Sequence, residues 1–226
     1  AMPEFYDLYK KDPDYLGALT MWDVQIGRLL KLLKDQGVAD NTVIFYTADN
    51  GPHQGHERSD IRYSTNFLRQ CKASMWEGGI RVPGLMHYPG KITRNVNVTT
   101  PTISSDIMPT ILKILDVETD NPTWAMDGID LLPIVEANIA SKQYVSRPKP
   151  LGFWTNDQQA IIDNNWKILH NPGLGQCTHQ APYDSWKNLS SIYMLFDLDT
   201  DYHELHDLSL AEPEQHKRMM GLLDDF

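Results

Sequence analysis

The 226-residue sequence is poor in cysteine, in positive charge and in long apolar runs, and each shortage excludes a class of protein. Two cysteines, Cys71 and Cys177, are too few for a disulfide framework and are compatible with one bridge or with two free thiols. Lys and Arg number 20 against 30 Asp and Glu, and the formal net charge of -10 argues against a nucleic-acid-binding protein. No run of about 18 apolar residues is present to span a membrane.

The start of the chain also lacks a targeting signal. Residues 1–20 have neither the basic start nor the apolar centre of a signal peptide, and Ala1 stands where a methionine would begin a primary product. We therefore expect a processed chain or a piece of a longer one. Asn-x-Ser/Thr triplets at residues 97–99 and 188–190 are possible glycan acceptors and favour a secretory route. The charge balance favours a small or carbohydrate-like partner.

The first part of the chain has the pattern of an α/β sheet. Apolar residues recur every three or four positions over residues 15–36, between Pro13 and Gly37, and predict an amphipathic helix. Residues 43–46, VIFY, form a short apolar run that predicts a strand buried on both faces. Residues 85–88 predict a second strand, and residues 105–115 predict a helix that begins with serine and aspartate.

The last part of the chain predicts a small antiparallel unit. Residues 159–162 and 166–169 read as two strands joined by an Asp-Asn-Asn turn, and residues 190–198 read as a further strand. Residues 212–223 predict a closing helix with Met219, Leu222 and Leu223 facing inward. Residues 138–150 are interpreted as the linker between the two parts.

Asp49 and Asn50 are the candidate metal ligands. They follow the first predicted strand directly, at the carboxyl end where open α/β sheets place their ligands. A carboxylate beside a side-chain amide offers the oxygen atoms that Ca²⁺ or Mg²⁺ binds, and Gly51 lets the backbone turn away. The alternative interpretation is an Asx turn that ends a strand.

Lys72 and Arg81 are candidate anion-binding residues. They flank a Glu-Gly-Gly run at residues 77–79 that permits close backbone approach, and their fixed positive charges suit a sulfate or phosphate oxygen. The alternative is a turn with surface cations. His53 and His56 are weaker candidates for ligands or proton-transfer groups, because histidines in polar loops are usually only solvated.

The order of these segments resembles the sulfatase family of the alkaline phosphatase superfamily, with the arylsulfatase and N-acetylgalactosamine-6-sulfatase group as the nearest match. The resemblance extends over almost the whole chain. It rests on residues 15–30, 41–51 and 72–83, and it continues through residues 105–112, 127–133, 194–199 and 204–208.

The resemblance implies a fold and roles for the matching residues. We expect an α/β mixed-sheet sulfatase core over residues 1–140 and a small antiparallel α+β subdomain with a closing helix over residues 141–226. Asp49 and Asn50 match ligands of the divalent cation, usually Ca²⁺. Lys72 matches the lysine that contacts sulfate, and Arg81 matches a supporting residue near it. The family is secretory, lysosomal, extracellular or periplasmic.

The resemblance also implies a nucleophile that this sequence lacks. The family converts a cysteine or serine in a C-x-P-S-R or C-x-A-S-R signature to formylglycine. Residues 71–75, CKASM, imitate four places of that signature but end in methionine and lie after the Asp-Asn pair, so Cys71 is interpreted as structural. We therefore expect the C-terminal portion of a sulfate-ester hydrolase, with an exposed sheet edge that favours self-association. The alternatives are a phosphoryl or phosphonate hydrolase of the same superfamily and an inactive binding or structural module.

Overall fold

The computed structural model describes residues 2–10, 13–53, 67–92, 95–118, 126–155, 158–171 and 193–226. Contacts within the chain divide it into two units. The first contains residues 1–45, 55–59 and 85–93, and the second contains residues 46–54, 60–84 and 94–226. The boundary expected after residue 140 stays a prediction.

The first unit is built on two helices, α1 (Pro3–Tyr6) and α2 (Pro13–Asp35). Helix α2 is terminated by Gly37, two residues past its last helical residue, whose φ is 69°. The amides of Gly37 and Val38 donate to carbonyls of the last helical turn, which is the Schellman arrangement that a glycine in this conformation allows. The predicted helix and its predicted end are both confirmed.

Two short strands, β1 (Ile44–Thr47) and β2 (Gly84–His87), pair in a two-stranded sheet. Both were predicted, each within one residue of its observed start. The prediction that the first strand is buried on both faces is wrong, since residues 44–46 are only partly buried and Thr47 is exposed. Burial of both faces requires layers packed above and below the strands, and both strands of this pair stay partly open to solvent.

The second unit holds four helices among its described residues: α3 (Glu77–Ile80), α4 (Ile107–Ile114), α5 (Leu132–Ser141) and α6 (Pro213–Asp225). Helix α4 follows a 3₁₀ turn at Ser104–Asp106 and confirms the predicted helix there. Helix α5 was not predicted, and it corrects the linker assigned to residues 138–150. Pro133 at its first positions and the left-handed Lys142 at its end define this helix, so the linker interpretation is wrong for residues 138–141.

The same unit contains a four-stranded antiparallel sheet in the order β3 (Leu151–Thr155), β4 (Gln158–Asp163), β5 (Trp166–His170) and β6 (Tyr193–Asp197). Asn164, with a φ of 57°, makes the turn between β4 and β5. The predicted strand, Asx turn and strand are confirmed, as is the later strand that became β6. Strand β3 was not predicted.

Both faces of this sheet are covered, because successive side chains of a strand point to opposite faces. Helix α6 packs Met219 and Leu223 onto one face, and Leu222 packs at the edge of the same cluster. The other face packs against Met75 and Trp76, which immediately precede α3. The sheet therefore supports the segment that carries the candidate residues.

A buried ion pair ties α4 to the chain that leads into β3. The guanidinium of Arg147 donates to both carboxylate oxygens of Asp106 at 2.8 Å. The same carboxylate accepts the amides of Ile103 and Ile129, so all its partners are inside the protein. Along the ranges the structure describes, no helix is long and apolar enough to cross a membrane.

Candidate active site

The Asp49–Asn50 loop leaves the end of β1 and holds itself in place by local hydrogen bonds. The Asn50 amide donates to the Asp49 carboxylate at 2.9 Å, and the Asn50 side-chain nitrogen donates to the Gly51 carbonyl at 2.9 Å. Asp49 is exposed and Asn50 is half-buried. Since the Asn50 nitrogen is engaged within the loop, its side-chain oxygen is the atom available to a cation.

Three glycines allow this loop to lie against two other backbone segments. A Cβ atom added to Gly51 would overlap the carbonyl oxygen of Gly78, and one added to Gly79 would overlap that of Ser74. The Gly51 amide donates to the Gly79 carbonyl at 2.7 Å, and the Gly78 amide donates to the Arg69 carbonyl at 2.8 Å. The glycines thus provide the close approach of backbones that their sequence predicted.

Lys72 lies beside the Asp49–Asn50 loop. Its amide donates to the Pro52 carbonyl at 3.0 Å, and its side chain is exposed. The structure therefore brings the backbone of Lys72 to within a hydrogen bond of the loop, although 21 residues lie between Asn50 and Lys72 in the sequence. Ser74 donates to the Cys71 carbonyl at 2.8 Å and closes the turn around Lys72.

Cys71 is fully buried and disulfide-bonded. Its sulfur is thus not a thiolate, which is the nucleophilic form of cysteine. Cys177, the other cysteine of the sequence, lies outside the described residues.

The remaining predicted site residues are His53, His56 and Arg81. His53 is exposed and follows Pro52 directly, and His56 falls outside the described residues. Arg81 lies at the end of α3, where its guanidinium forms an ion pair with Glu77 at 3.2 Å while half of the side chain stays in solvent. Arg81 is thus attached to the same one-turn helix that contacts the loop.

Beneath α3 lies a buried ionic cluster that the sequence did not reveal, made of Glu77, Lys167 and Glu204. The ammonium of Lys167 lies 2.8 Å from the Glu77 carboxylate and 2.7 Å from the Glu204 carboxylate. The second Glu204 oxygen accepts the Glu77 amide at 2.7 Å. No sequence signal identifies Lys167, which occupies an ordinary position in β5.

Burial and charge act in opposite directions on these groups. Burial alone would lower the pKa of Lys167, but the carboxylates of Glu204 and Glu77 hold that pKa above its ordinary value. Burial raises the pKa of Glu204 to about 7, with the neighbouring Glu77 adding to the rise and Lys167 opposing it. Attraction to Lys167 therefore offsets only part of the cost of burying the charged Glu204 carboxylate.

Arg69 joins this cluster to the aromatic core. Its guanidinium lies 3.7 Å from the centre of the Trp76 ring and donates to the Glu204 carbonyl at 2.7 Å. Trp76 in turn meets the Phe196 ring edge-on. Cation and aromatic ring in this arrangement attract one another.

Asp49 and Asn50 fit a divalent cation in chemical type. A carboxylate oxygen and an amide oxygen are hard donors of the kind that Ca²⁺ and Mg²⁺ take. They do not suffice in number, because Ca²⁺ binds about six to eight oxygens. Among the residues the structure describes, no group of three or more His, Cys, Asp or Glu side chains is placed to hold a metal ion.

Comparison with known proteins identifies the class. Residues 4–117 match the sulfatase family. The chain is 33% identical to the steryl-sulfatase of Rattus norvegicus over 93% of its own length, and it spans 39% of that protein. The chain belongs to the sulfatase family. The finer assignment to the arylsulfatase and N-acetylgalactosamine-6-sulfatase group stays a prediction.

Solved structures show the same fold. A crystal structure of Ps i-CgsB in complex with k-i-k-neocarrahexaose superimposes with a TM-score of 0.75 at 22% identity, covering all of this chain and 46% of the other. The structure of BT4656 in complex with its substrate D-glucosamine-2-N,6-O-disulfate gives a TM-score of 0.65 at 20% identity, covering 94% and 39%. The predicted α/β fold of the alkaline phosphatase type is confirmed, and the chain spans less than half of each of these proteins.

Proposed function

We propose that this chain contributes cation-binding and sulfate-binding residues to the hydrolysis of a sulfate ester. One observation carries the proposal: the Lys72 amide donates to the Pro52 carbonyl, so the segment with the lysine runs beside the loop with Asp49 and Asn50. A sulfate group in the proposed site would have to contact the cation and the Lys72 ammonium at the same time. Membership of the sulfatase family supports the reaction class.

Asp49 and Asn50 are proposed to hold Ca²⁺, or another divalent cation such as Mg²⁺, through their side-chain oxygens. When bound, such a cation neutralises negative charge on the sulfuryl oxygens. The Lys72 ammonium adds a second positive charge at the same group, and its exposure leaves it free to reach a ligand. Arg81 supports α3 through Glu77, and His53 and His56 are proposed substrate contacts.

The nucleophile of the proposed reaction is formylglycine, and no C-x-P-S-R or C-x-A-S-R signature occurs in the 226 residues. Cys71 does not substitute for it, because a disulfide-bonded sulfur has no thiolate to attack with. This chain therefore supplies electrostatic stabilisation and orientation, and covalent catalysis requires a residue from outside it.

The substrate is proposed to be an aryl sulfate or a sulfated carbohydrate. The carbohydrate ligands of Ps i-CgsB and BT4656 support the second class. A secretory, lysosomal, extracellular or periplasmic location is proposed because the Cys71 disulfide persists best in an oxidising compartment. The family match does not favour the phosphoryl or phosphonate hydrolase, nor a purely structural module.

The experiment compares Asp49→Asn, Lys72→Met and Asp40→Asn in the intact protein with formylglycine installed. Asp49→Asn should abolish Ca²⁺-dependent turnover of a chromogenic sulfate ester, and Lys72→Met should lower kcat about 100- to 1000-fold. Asp40, an exposed carboxylate before β1, is the matched control and should leave turnover unchanged. Wild-type Ca²⁺ dependence in Asp49→Asn would contradict the assignment.

A further inference from the structure

The Glu77–Lys167–Glu204 cluster connects the antiparallel sheet to the candidate site through one short helix. Lys167 is a residue of β5, and Glu204 lies in the loop that follows β6. Both side chains are completely buried, and both contact Glu77, the first residue of α3. Lys167 forms an ion pair with the Glu77 side chain, while the Glu204 carboxylate accepts a hydrogen bond from the Glu77 backbone amide.

Helix α3, held by Lys167 and Glu204, contacts the Asp49–Asn50 loop directly through backbone atoms. Gly78 and Gly79 follow Glu77 and meet Gly51 backbone to backbone, with the Gly51 amide donating to the Gly79 carbonyl at 2.7 Å. Gly51 directly follows Asn50. A displacement of α3 is therefore a displacement of the Asp49–Asn50 loop, because no flexible side chain lies between them to absorb it.

A second connection runs from Glu204 toward Lys72. Arg69 donates from its guanidinium to the Glu204 carbonyl at 2.7 Å, and its own carbonyl accepts the Gly78 amide at 2.8 Å. Lys72 lies three residues further along the same segment. Both segments that carry candidate site residues are thus hydrogen-bonded either to α3 or to Glu204.

We propose that Lys167 and Glu204 are positioning residues for the sulfate site, fixing α3 and, through it, the relative placement of Asp49, Asn50 and Lys72. This inference rests on the proposed function for the identity of the site. Neither residue is proposed to touch substrate or cation. The chemistry of the ionic cluster favours placement over stability, since a buried ion group is often no more stabilising than apolar side chains of the same volume but fixes directions that apolar contacts leave free.

The test uses the intact protein and the double variant Lys167→Met/Glu204→Gln. This variant replaces the two buried ionisable groups that contact Glu77 and leaves Glu77 paired with Arg81, so no lone carboxylate is stranded in the interior. With a sulfate-ester substrate, kcat/KM should fall about 100-fold, the loss that a displacement of roughly 1 Å away from the chemistry produces. The Ca²⁺ concentration for half-maximal activity should rise. The single variant Lys167→Arg, which keeps the positive charge, should lose less activity than the double variant.

The matched control is Asp106→Asn, which weakens an equally buried ion pair that has no hydrogen bond to α3 or to the Asp49–Asn50 loop among its described contacts. All variants are assayed at a temperature where circular dichroism shows them fully folded. The control should melt at a lower temperature yet keep the wild-type Ca²⁺ dependence and KM. An equal change of Ca²⁺ dependence in both variants would reduce Lys167 and Glu204 to a general structural role and overturn the proposal.

Hydrogen exchange supplies a readout that needs no turnover. In the double variant the amides of Gly51 and Lys72 should exchange faster than in the wild type, while the Leu115 amide at the end of α4 should not change. Unchanged exchange at Gly51 and Lys72 would overturn the proposal even if activity fell. If the wild type hydrolyses no sulfate ester while these two amides respond, the proposed function fails and the coupling from Lys167 and Glu204 to the loop stands.

Discussion

At the scale of single residues, Glu204 combines full burial with an ionisable side chain. Its carboxylate is fully buried, faces the Lys167 ammonium and accepts the Glu77 amide, and its carbonyl accepts the Arg69 guanidinium. The carboxylate of Glu77 is the only described acidic group that acts on its titration. These surroundings make the protonation of Glu204 a measurable part of the protein's stability.

Burial raises the pKa of Glu204 from 4.5 to about 7 on folding. At pH values between these two pKa values, Glu204 is protonated to a greater extent in the folded state than in the unfolded state. The resulting contribution to stability is therefore complete below about pH 4.5 and is lost as the pH rises through 7. The difference between the two pKa values corresponds to about 3 kcal/mol.

We therefore predict that Glu204→Gln changes how stability depends on pH. The free energy of unfolding of the wild type, minus that of the variant, should decrease by about 3 kcal/mol from about pH 4.5 to about pH 7.5. Urea unfolding at several pH values measures this difference. Glu212→Gln, at an exposed carboxylate before α6, is the matched control measured alongside. A constant difference for Glu204→Gln would show that its pKa is not raised.

At the scale of elements, the contact between the Asp49–Asn50 loop and α3 depends on the absence of side chains. Gly51→Ala would force the loop away from the Gly78 carbonyl, because backbone atoms cannot rotate aside as a side chain does. We predict a loss of about 1–3 kcal/mol in unfolding free energy, the usual cost of overpacking, together with weakened Ca²⁺ activation. Urea unfolding and a Ca²⁺ titration of activity measure the two effects.

Gly27→Ala is the matched control for this change. Gly27 lies within α2, and nothing lies within 4 Å of a Cβ added there. Alanine in a helix interior is favoured over glycine by about 0.5–1 kcal/mol, so this variant should be as stable as the wild type or more stable. If Gly51→Ala behaved like Gly27→Ala, the close contact between loop and α3 would have no energetic importance.

The elements that the sequence predicted share a clear local pattern. Helix α2 has a three-and-four spacing and a glycine stop, and the β4–β5 hairpin has two apolar runs around an Asx turn. Helix α5 and strand β3 were missed because their apolar residues are flanked by Ser, Lys and Pro, which reads as linker. Helix α3 is a single turn that exists only through its tertiary contacts.

The sequence predicts only some residues of the candidate site, for a related reason. Asp49, Asn50 and Lys72 stand in recognisable local motifs, so their residue types and order single them out as candidates. Lys167 and Glu204 act through burial and distance, and a lysine between tryptophan and isoleucine gives no sign that it is buried. Pairings of residues 90 or more positions apart are set by the packed fold, which no local pattern encodes.

At the scale of the whole molecule, helix α2 presents large apolar side chains to solvent. Leu19, Trp22 and Leu29 are each about half exposed, although the spacing of these residues is that of a face made for packing. Patches of this kind on a soluble protein favour association. The 226-residue chain purified alone should therefore self-associate, and light scattering after size exclusion should show species above its 25.9 kDa mass.

The same purified chain should not hydrolyse sulfate esters, even in excess Ca²⁺. Asp49, Asn50 and Lys72 are proposed to supply charge stabilisation, but the sequence contains no formylglycine signature, and Cys71 is held in a disulfide. Covalent catalysis divides a difficult displacement into two easier steps, and without a nucleophile that advantage is lost. Asp49 and Asn50 alone would also bind Ca²⁺ weakly, because Ca²⁺ is coordinated by about six to eight oxygens.

The measurement is a chromogenic sulfate-ester assay of the 226-residue chain with and without Ca²⁺, alongside a related sulfatase that carries formylglycine. A Cys71→Ala variant of the chain, assayed in parallel, separates the two possible sources of any activity. Disulfide loss should cost it about 2–5 kcal/mol of stability, so folding is checked first. Ca²⁺-dependent turnover that disappears in a folded Cys71→Ala chain would make this cysteine the nucleophile after all, since the charge stabilisation proposed for Asp49, Asn50 and Lys72 would be the same in both chains.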